Sequence, residues 1–212
     1  MKLFETTLLT EKYREPCEDR VAVLGDNQRT VIVVADGAGG IGAGDEAADT
    51  VVREVSASYR SVNSATDWSN LLRQIDSRVS SGESTAVVID IRSYGIAGAS
   101  VGDSQAWIIS EDSVFDLTKE QNRKPLLGSG SACPVSFTHS PLTGVLVVAT
   151  DGFFNYAKFD EVVSLVGQTP FFEIPRRCID LVRLPSGELW DDVGIVAVRK
   201  KRKRASRQVY EI

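Results

Sequence analysis

The chain has 212 residues, of which 42% are hydrophobic and 25% are charged, values that are ordinary for a globular domain with a substantial core. No apolar stretch approaches the roughly 20 residues that a membrane-spanning helix needs. The formal net charge is −5, but seven basic residues lie between positions 199 and 207, so the chain up to Val198 carries about −11. An acidic body of this kind favours cation binding over nucleic-acid binding.

The cysteines predict the redox compartment. Cys17, Cys133 and Cys178 are odd in number and widely spaced, which argues against a disulfide framework. We therefore expect free thiols and a reducing, cytoplasmic location.

The first half of the chain predicts a strand, a hairpin and two helices. The hairpin turns across Gly25-Asp26-Asn27-Gln28, and the first helix carries an apolar stripe at helical spacing. The second helix has good N-caps in Thr66 and Asp67 and ends before Gly82. The expected strands are residues 3–9, 21–24 and 30–35, and the expected helices are 45–59 and a segment that starts at 66 or 67.

The second half predicts further strands and two more helices. Residues 118–141 are polar and rich in Gly, Ser and Pro, so we expect mostly loop there, and Pro170 is tolerated in the first turn of the last helix. The expected strands are 84–91, 94–101, 105–110, 114–117, 144–150 and 192–199, and the expected helices are 159–166 and 170–184. Short connections imply antiparallel pairing, which indicates an α+β protein with two face-to-face sheets and helices outside both.

Carboxylates recur where the apolar strands end. The buried run Val31–Ala35 is followed by Asp36 and a glycine-rich turn, and an Asp beside a Gly recurs at Gly102-Asp103 and Asp151-Gly152. Scattered carboxylates with little His or Cys suit hard divalent cations, which prefer oxygen ligands. Two more acidic pairs stand beside apolar runs, Glu18-Asp19 and Asp191-Asp192.

Six short motifs in order carry a resemblance to a known family. They are Arg14-x-x-x-Glu18-Asp19, Asp36-Gly37-x-Gly39-Gly40, Gly82-x-Ser84-Thr85-Ala86, Gly102-Asp103-Ser104, Thr150-Asp151-Gly152 and Asp191-Asp192. From about Arg14 to Val198 the chain resembles the PPM group of metal-dependent serine/threonine protein phosphatases, type 2C. The resemblance implies a four-layer α/β/β/α sandwich over residues 1–199, followed by a basic tail at 200–212.

The resemblance also implies two Mn²⁺ or Mg²⁺ ions in the active site. Asp36 is expected to bridge the two ions, and the carbonyl of Gly37 is a further ligand. Asp151 and Asp191 would complete the first ion's site, and Glu18 would serve the second ion, largely through water. Such a pair lowers the pKa of a bound water and clamps the attacking and leaving oxygens.

Three more residues receive roles from the same resemblance. Asp103 would share a third, more loosely held ion with Asp151. Asp19 would orient a water, and Arg14 would clamp phosphate, since a guanidinium offers two parallel donors to phosphate oxygens.

The chain departs from the family pattern in four places. Position 38 is Ala where many members carry His or Met, and position 155 is Asn where Asp is common. Position 192 is Asp where Asn is usual. The segment between Asp103 and Asp151 is short, which implies a reduced flap beside the active site and an altered choice of substrate.

The leading hypothesis is a monomeric phosphatase for phosphoserine and phosphothreonine in proteins, acting opposite a cognate kinase. The rival is an inactive module that keeps the fold for binding or regulation. The basic tail leaves open docking to an acidic partner or to nucleic acid, although nucleic acid is the less favoured partner. A nucleophilic Ser84 or Thr85 is disfavoured, because no nucleophile elbow surrounds them and His139 is the only histidine.

Overall fold

The computed structural model describes residues 2–38, 43–111 and 113–201, and it confirms the four-layer α+β sandwich. The strands are β1 (Phe4–Glu11), β2 (Asp19–Gly25), β3 (Arg29–Ala38), β4 (Glu83–Ser84), β5 (Ala86–Arg92), β6 (Gly95–Val101), β7 (Gln105–Ile109), β8 (Val114–Asp116), β9 (Val135–His139), β10 (Val145–Ala149) and β11 (Val193–Lys200). The helices are α1 (Gly44–Ser58), α2 (Ala65–Asp76), α3 (Asp151–Phe154), α4 (Phe159–Gln168) and α5 (Ile174–Val182), with 3₁₀ turns at Tyr59–Ser61 and Phe171–Glu173.

The strands form two antiparallel sheets. One sheet has the order β1-β11-β10-β7-β8, and the other has the order β2-β3-β5-β6-β9, with β4 paired to β3. Helices α1 and α2 pack on the outer face of the second sheet, and α3 to α5 pack on the outer face of the first. A third apolar cluster fills the space between the sheets.

Strand β3 shows why the sequences of the central strands are unbroken runs of apolar residues. Val31, Val33 and Ala35 face the helices, whereas Ile32 and Val34 face the other sheet, and all five are fully buried. Because successive side chains of a strand point to opposite faces, a strand buried on both sides needs an apolar residue at every position.

Two predicted helix starts were wrong. Helix α2 is capped by Ser64, not by Thr66 or Asp67: the Ser64 hydroxyl accepts from the Asp67 amide, and the Asp67 carboxylate accepts from the Ser64 amide. The last helix starts at Ile174 and not at Pro170, with Pro175 in its first turn. The first error concerns a side-chain cap, which apolar periodicity does not reveal, and the second arises because Phe171–Glu173 form a 3₁₀ turn before the α-helix begins.

The expectation of mostly loop at 118–141 was also wrong in part, because β9 lies inside it. Val135 and Phe137 alternate with exposed residues and line the gap between the sheets beside β6. The rest of the segment is tied down by Asp76 of α2, whose carboxylate accepts from the amides of Gly128, Gly130 and Ala132. The reduced flap is therefore a compact loop that is fixed to a helix.

None of the helices in the described ranges is both long enough and apolar enough to cross a membrane. The basic residues from 202 onward lie outside the described residues, as do Gly39 and Gly40 of the second motif. The division into a domain at 1–199 and a tail at 200–212 therefore stays a prediction.

Candidate metal centre

Three carboxylates from three separate segments converge at one end of the sandwich. Asp36 lies near the end of β3, Asp103 lies in the turn between β6 and β7, and Asp151 begins α3 directly after β10. One carboxylate oxygen from each lies within 4.8 Å of the others. The resemblance in the sequence implied that Asp103 holds a third ion, apart from the two ions at Asp36. In the fold, all three carboxylates lie in one cluster.

Ser84 and Thr85, whose hydroxyl groups were considered above as nucleophiles, hold the backbone of Asp36 by hydrogen bonds. The Asp36 amide donates to Thr85 Oγ1 at 3.0 Å, and Ser84 Oγ donates to the Asp36 carbonyl oxygen at 3.1 Å. The Thr85 amide also donates to that carbonyl oxygen, at 2.8 Å. Thr85 Oγ1 in turn hydrogen-bonds Ser104 Oγ at 2.8 Å, which ties Asp36 to the turn that carries Asp103. Ser84 and Thr85 are thus scaffold residues.

The cluster is electrostatically unfavourable without a cation. Burial, with the nearby charges of Asp19, Asp151 and Asp191, raises the pKa of Asp36 to about 10. Burial and the charges of Asp103 and Asp191 likewise raise the pKa of Asp151. Two carboxylates in such proximity resist ionising together, so Asp36 and Asp151 share a hydrogen bond instead.

Asp191 lies beside this cluster but outside its tightest part. Burial raises the pKa of the Asp191 carboxyl, while the charge of Arg14 opposes that rise. The charge of Asp191 in turn raises the pKa of both Asp36 and Asp151, so it belongs to the same electrostatic site.

Asp19 is buried behind the cluster and is directly opposite Asp36 in the β2–β3 register. Thr150 Oγ1 donates to Asp19 Oδ2 at 2.7 Å, and the Gly194 amide donates to Thr150 Oγ1 at 3.0 Å. Burial raises the pKa of Asp19 to about 7, against the lowering effect of the Thr150 hydrogen bond. Because Asp19 is on one sheet and Thr150 follows a strand of the other, this hydrogen bond joins the two sheets at the site.

Glu18 directly precedes β2, and its side chain reaches Gly44 at the start of α1. Its carboxylate accepts from the Gly44 amide, although burial and the charge of Asp192 raise the pKa of Glu18 overall. A Cβ at Gly44 would be 2.6 Å from Glu18 Oε1, and a Cβ at Gly37 would be 2.1 Å from the Gly44 carbonyl oxygen. Glycine at both positions is therefore needed for the helix end to approach β3 and Glu18 this closely.

Arg14 is exposed and lies on the rim of the site. Its guanidinium is 4.4 Å from the centre of the Tyr13 ring and donates to the Tyr13 hydroxyl at 2.9 Å. The hydrogen bond to Tyr13 and the charge of Asp191 raise the Arg14 pKa. The side chain is thus near the carboxylates but is not locked into an ion pair with any of them in the described part of the chain.

Asp192 belongs to the last of the six motifs, but the sequence assigned it no role in the site. Its two carboxylate oxygens accept from the amides of Tyr13 and Glu18, each at 2.6 Å. The pair of bonds clamps both ends of the segment that carries Arg14 and Glu18. The only available signal was its position next to Asp191, because its partners lie more than 170 residues away in the chain.

Asn155 also acts on the cluster, through Asp151. Its Nδ2 atom donates to Asp151 Oδ2 at 2.9 Å, one turn away along the chain. The amide therefore orients the Asp151 carboxylate and adds no negative charge, unlike the Asp that is common at this position. Ala38, at the end of β3, offers only a methyl group.

His139 is remote from the cluster. It pairs with Ile96 at the beginning of β6, whereas Asp103 follows the end of that strand, a separation of roughly 17 Å along five strand residues. The His139 ring packs against Phe115, with centroids 4.6 Å apart. A hydrolase triad built on this histidine is thus inconsistent with the fold.

The donor set fits hard divalent cations. It consists of carboxylate oxygens, and within residues 2–38, 43–111 and 113–201 no lysine or arginine forms an ion pair with Asp36 or Asp151. Arg123 reaches Asp103, at 3.7 Å, from an exposed position. Partly buried carboxylates with raised pKa values and oxygen-only chemistry are what Mg²⁺ or Mn²⁺ would neutralise.

The comparisons with known proteins agree with this geometry. A family model described as Protein phosphatase 2C matches residues 11–182. Solved structures with the same fold include a bacterial serine phosphatase (18% identity, TM-score 0.79, covering 95% of this chain and 100% of that one) and the S. agalactiae serine/threonine phosphatase (17%, 0.80, 93% and 100%). The catalytic domain of the serine threonine protein phosphatase PstP, in complex with two manganese ions, also matches (16%, 0.77, 92% and 97%). At these identities the structural likeness establishes the fold, and no curated protein matches the sequence significantly.

The raised pKa of Asp36 predicts how the metal-free protein responds to pH. The folded state keeps a proton on Asp36 that the unfolded state loses near pH 4, so stability in chelator falls as the pH rises from about 4 towards about 10. Because Asn does not titrate, the free energy of unfolding of Asp36→Asn should fall less over this pH range. In urea unfolding with chelator, we expect the free energy of unfolding of the variant to gain up to about 5 kcal/mol relative to the wild type as the pH rises from about 5 to about 9.

Two controls accompany that comparison. Glu111→Gln, at an exposed turn position, is expected to follow the wild type at every pH. Adding Mn²⁺ is expected to stabilise the wild type and to leave the Asp36→Asn variant nearly unchanged. Parallel pH profiles for the wild type and Asp36→Asn would contradict the electrostatic account.

The Asp192 clamp generates a second prediction. Asp192→Ala leaves the Tyr13 and Glu18 amides without their acceptor and is expected to lower the free energy of unfolding by about 2–4 kcal/mol. Asp192→Asn keeps one acceptor oxygen, and its effect is expected to be about half as large. Hydrogen exchange is the direct measurement: the amides of Tyr13 and Glu18 should exchange faster in both variants. Unchanged exchange at these two amides would rule the clamp out.

Proposed function

Since the chain belongs to the protein phosphatase 2C family and is a serine/threonine phosphatase, we propose that its acidic cluster holds two divalent cations at which phosphoserine and phosphothreonine of proteins are hydrolysed. The observation that carries this proposal is the convergence of Asp36, Asp103 and Asp151 within 4.8 Å. The three side chains are partly buried, and in the described ranges the only basic partner is the exposed Arg123 beside Asp103, so the cluster has a deficit of positive charge that cations would supply.

Each site residue receives a role in this proposal. Asp36, whose backbone amide and carbonyl are held by Thr85 and Ser84, would be a ligand of both cations. The carbonyl of Gly37 and the carboxylates of Asp151 and Asp191 would complete one ion's site. Glu18, whose carboxylate accepts from the Gly44 amide at the start of α1, would serve the second ion. Asp103 would share a third, weaker ion with Asp151, and its place in the cluster makes it available for that role.

The cations would lower the pKa of a bound water and neutralise charge on the phosphoryl group. The remaining tasks belong to the chain itself. Arg14 would bind phosphate oxygens from the rim, and Asp19 would orient the attacking water from behind Asp36. Asp192 keeps Arg14 and Glu18 in register with the rest of the site, since it binds the backbone at both ends of their segment.

Neither Ala38 nor the histidine of the chain can protonate the leaving oxygen. Position 38 carries a methyl group, and His139 is at the far end of β6. The departing serine or threonine oxygen would therefore take its proton from solvent. The intrinsic acidity of the leaving group should then affect the rate strongly.

The cellular setting completes the proposal. The enzyme would act as a cytoplasmic monomer in signalling, opposite the kinase that phosphorylates its substrates. The three cysteines, none of which is paired with another in the described ranges, support a reducing compartment. Mn²⁺ and Mg²⁺ are both compatible with the oxygen ligands.

Hydrolysis of para-nitrophenyl phosphate tests the proposal. We expect turnover with Mn²⁺ or Mg²⁺, none in chelator, and a loss of at least about 100-fold in kcat for Asp36→Asn and Asp151→Asn, because ligands should matter more than the residues that orient them. Asp160→Asn, an exposed change on α4, is the matched control and should keep wild-type activity. Metal binding without turnover in the wild type would instead identify an inactive binding module.

A further inference from the structure

Two exposed aromatic rings stand beside the acidic cluster and take no part in the chemistry described above. Tyr156 and Trp190 stack with their centroids 5.6 Å apart and their planes at 8°. They remain 44% and 54% exposed, so each ring buries one face against the other and leaves much of its surface to solvent. We refer to this pair as the aromatic rim.

The aromatic rim is fixed at the edge of the site by its neighbours in the chain. Trp190 directly precedes Asp191, and Tyr156 directly follows Asn155, which holds Asp151. The residues on the inner side, Leu189 and Phe154, are buried in the core beneath α3 to α5. The rim is therefore anchored at the edge of the site, next to the residues that carry and orient two of the carboxylates.

The charge around the rim indicates what would bind there. Eight carboxylates interact within the site, and the arginines described beside them are Arg14 and Arg123. Two divalent cations would not neutralise this excess, and a bound phosphate would add further negative charge. A substrate with a positive charge close to its phosphate is thus favoured over one with an acid there.

Stacked aromatic faces complement such a positive charge. The face of an indole or phenol ring attracts a guanidinium or ammonium group, and Trp is the strongest of the aromatic residues in this respect. In the described part of the chain, no arginine lies over either ring of the rim, although other arginines stack on Tyr13, Tyr59 and Phe171. The outer faces are therefore available to a ligand.

We propose that the aromatic rim of Tyr156 and Trp190 binds an arginine or lysine side chain that flanks the phosphorylated residue of the substrate. This inference rests on the proposed function, since it specifies the substrate of the same site. The occupant is a phosphopeptide with a basic residue, because a cation is attracted both by the ring faces and by the carboxylates, whereas an acidic flank is repelled and an uncharged flank lacks this attraction.

The test compares phosphothreonine peptides that differ only in one flanking residue. Arginine is placed at each flanking position in turn, and the parent peptide has alanine throughout. In the wild type, arginine at one or two positions should raise kcat/KM roughly 3–10-fold over the parent, and Trp190→Ala should abolish that preference. Trp190→Phe keeps an aromatic face and should retain part of it.

Tyr94→Ala is the matched control, since Tyr94 is an exposed aromatic residue (71%) on the turn between β5 and β6, at the end of β6 away from Asp103. It should leave the arginine preference intact. The increase in the thermal unfolding temperature that Mn²⁺ causes shows whether Trp190 contacts the substrate or only holds Asp191 in position. If Trp190→Ala reduced metal stabilisation and lowered activity equally on all peptides, the rim would be a brace for Asp191 and the proposal would be wrong.

Binding of non-hydrolysable phosphonate analogues of the same peptides separates this inference from the proposed function. Arginine-dependent affinity that requires Trp190 would support the rim even if no peptide were hydrolysed, in which case only the phosphatase proposal would fail. Hydrolysis without an arginine preference, or with a preference that survives in Trp190→Ala, would overturn the rim and leave the phosphatase proposal standing.

Discussion

Repulsion among buried carboxylates is the constraint on which the arrangement of this protein depends. The antiparallel register of β2 and β3 places Asp19 opposite Asp36, and the start of α3 brings Asp151 to the same point from the other sheet. Burial weakens the solvation of the charges, and together with the neighbouring carboxylates it raises the pKa values of Asp36 and Asp151. The mutual repulsion of these carboxylates lowers the stability of the folded protein. A bound cation would offset this repulsion.

The surroundings of the cluster offset this repulsion without neutralising it. Hydroxyl groups and backbone amides hold the carboxylate-bearing segments: Ser84 and Thr85 fix the backbone of Asp36, and Thr150 joins Asp19 to the other sheet. Asp192 fixes the segment before β2 through two amides. Neutral donors orient the acids and leave their charge available, whereas lysines or arginines in the same places would compete with the cations.

The sequence predicted the parts of the fold that depend on local pattern. Apolar runs located most strands, and the stripe from Ala47 to Val55 located α1. It did not predict β9, where only Val135 and Phe137 face the core in a polar, Pro-containing stretch. The candidate residues came from a resemblance in motif order, and the fold brings Asp36, Asp103 and Asp151 together. The role of Asp192 could not be predicted, because its hydrogen-bond partners lie near the other end of the chain.

Anomalous diffraction from crystals soaked in Mn²⁺ is the measurement that tests the central claim most directly. The account predicts two anomalous peaks about 3.5–4 Å apart, both in contact with the carboxylate of Asp36. The same data would show whether Asp103 and Asp151 hold a further ion. The absence of paired density beside Asp36, or carboxylates that turn away from one another in the soaked crystal, would contradict it.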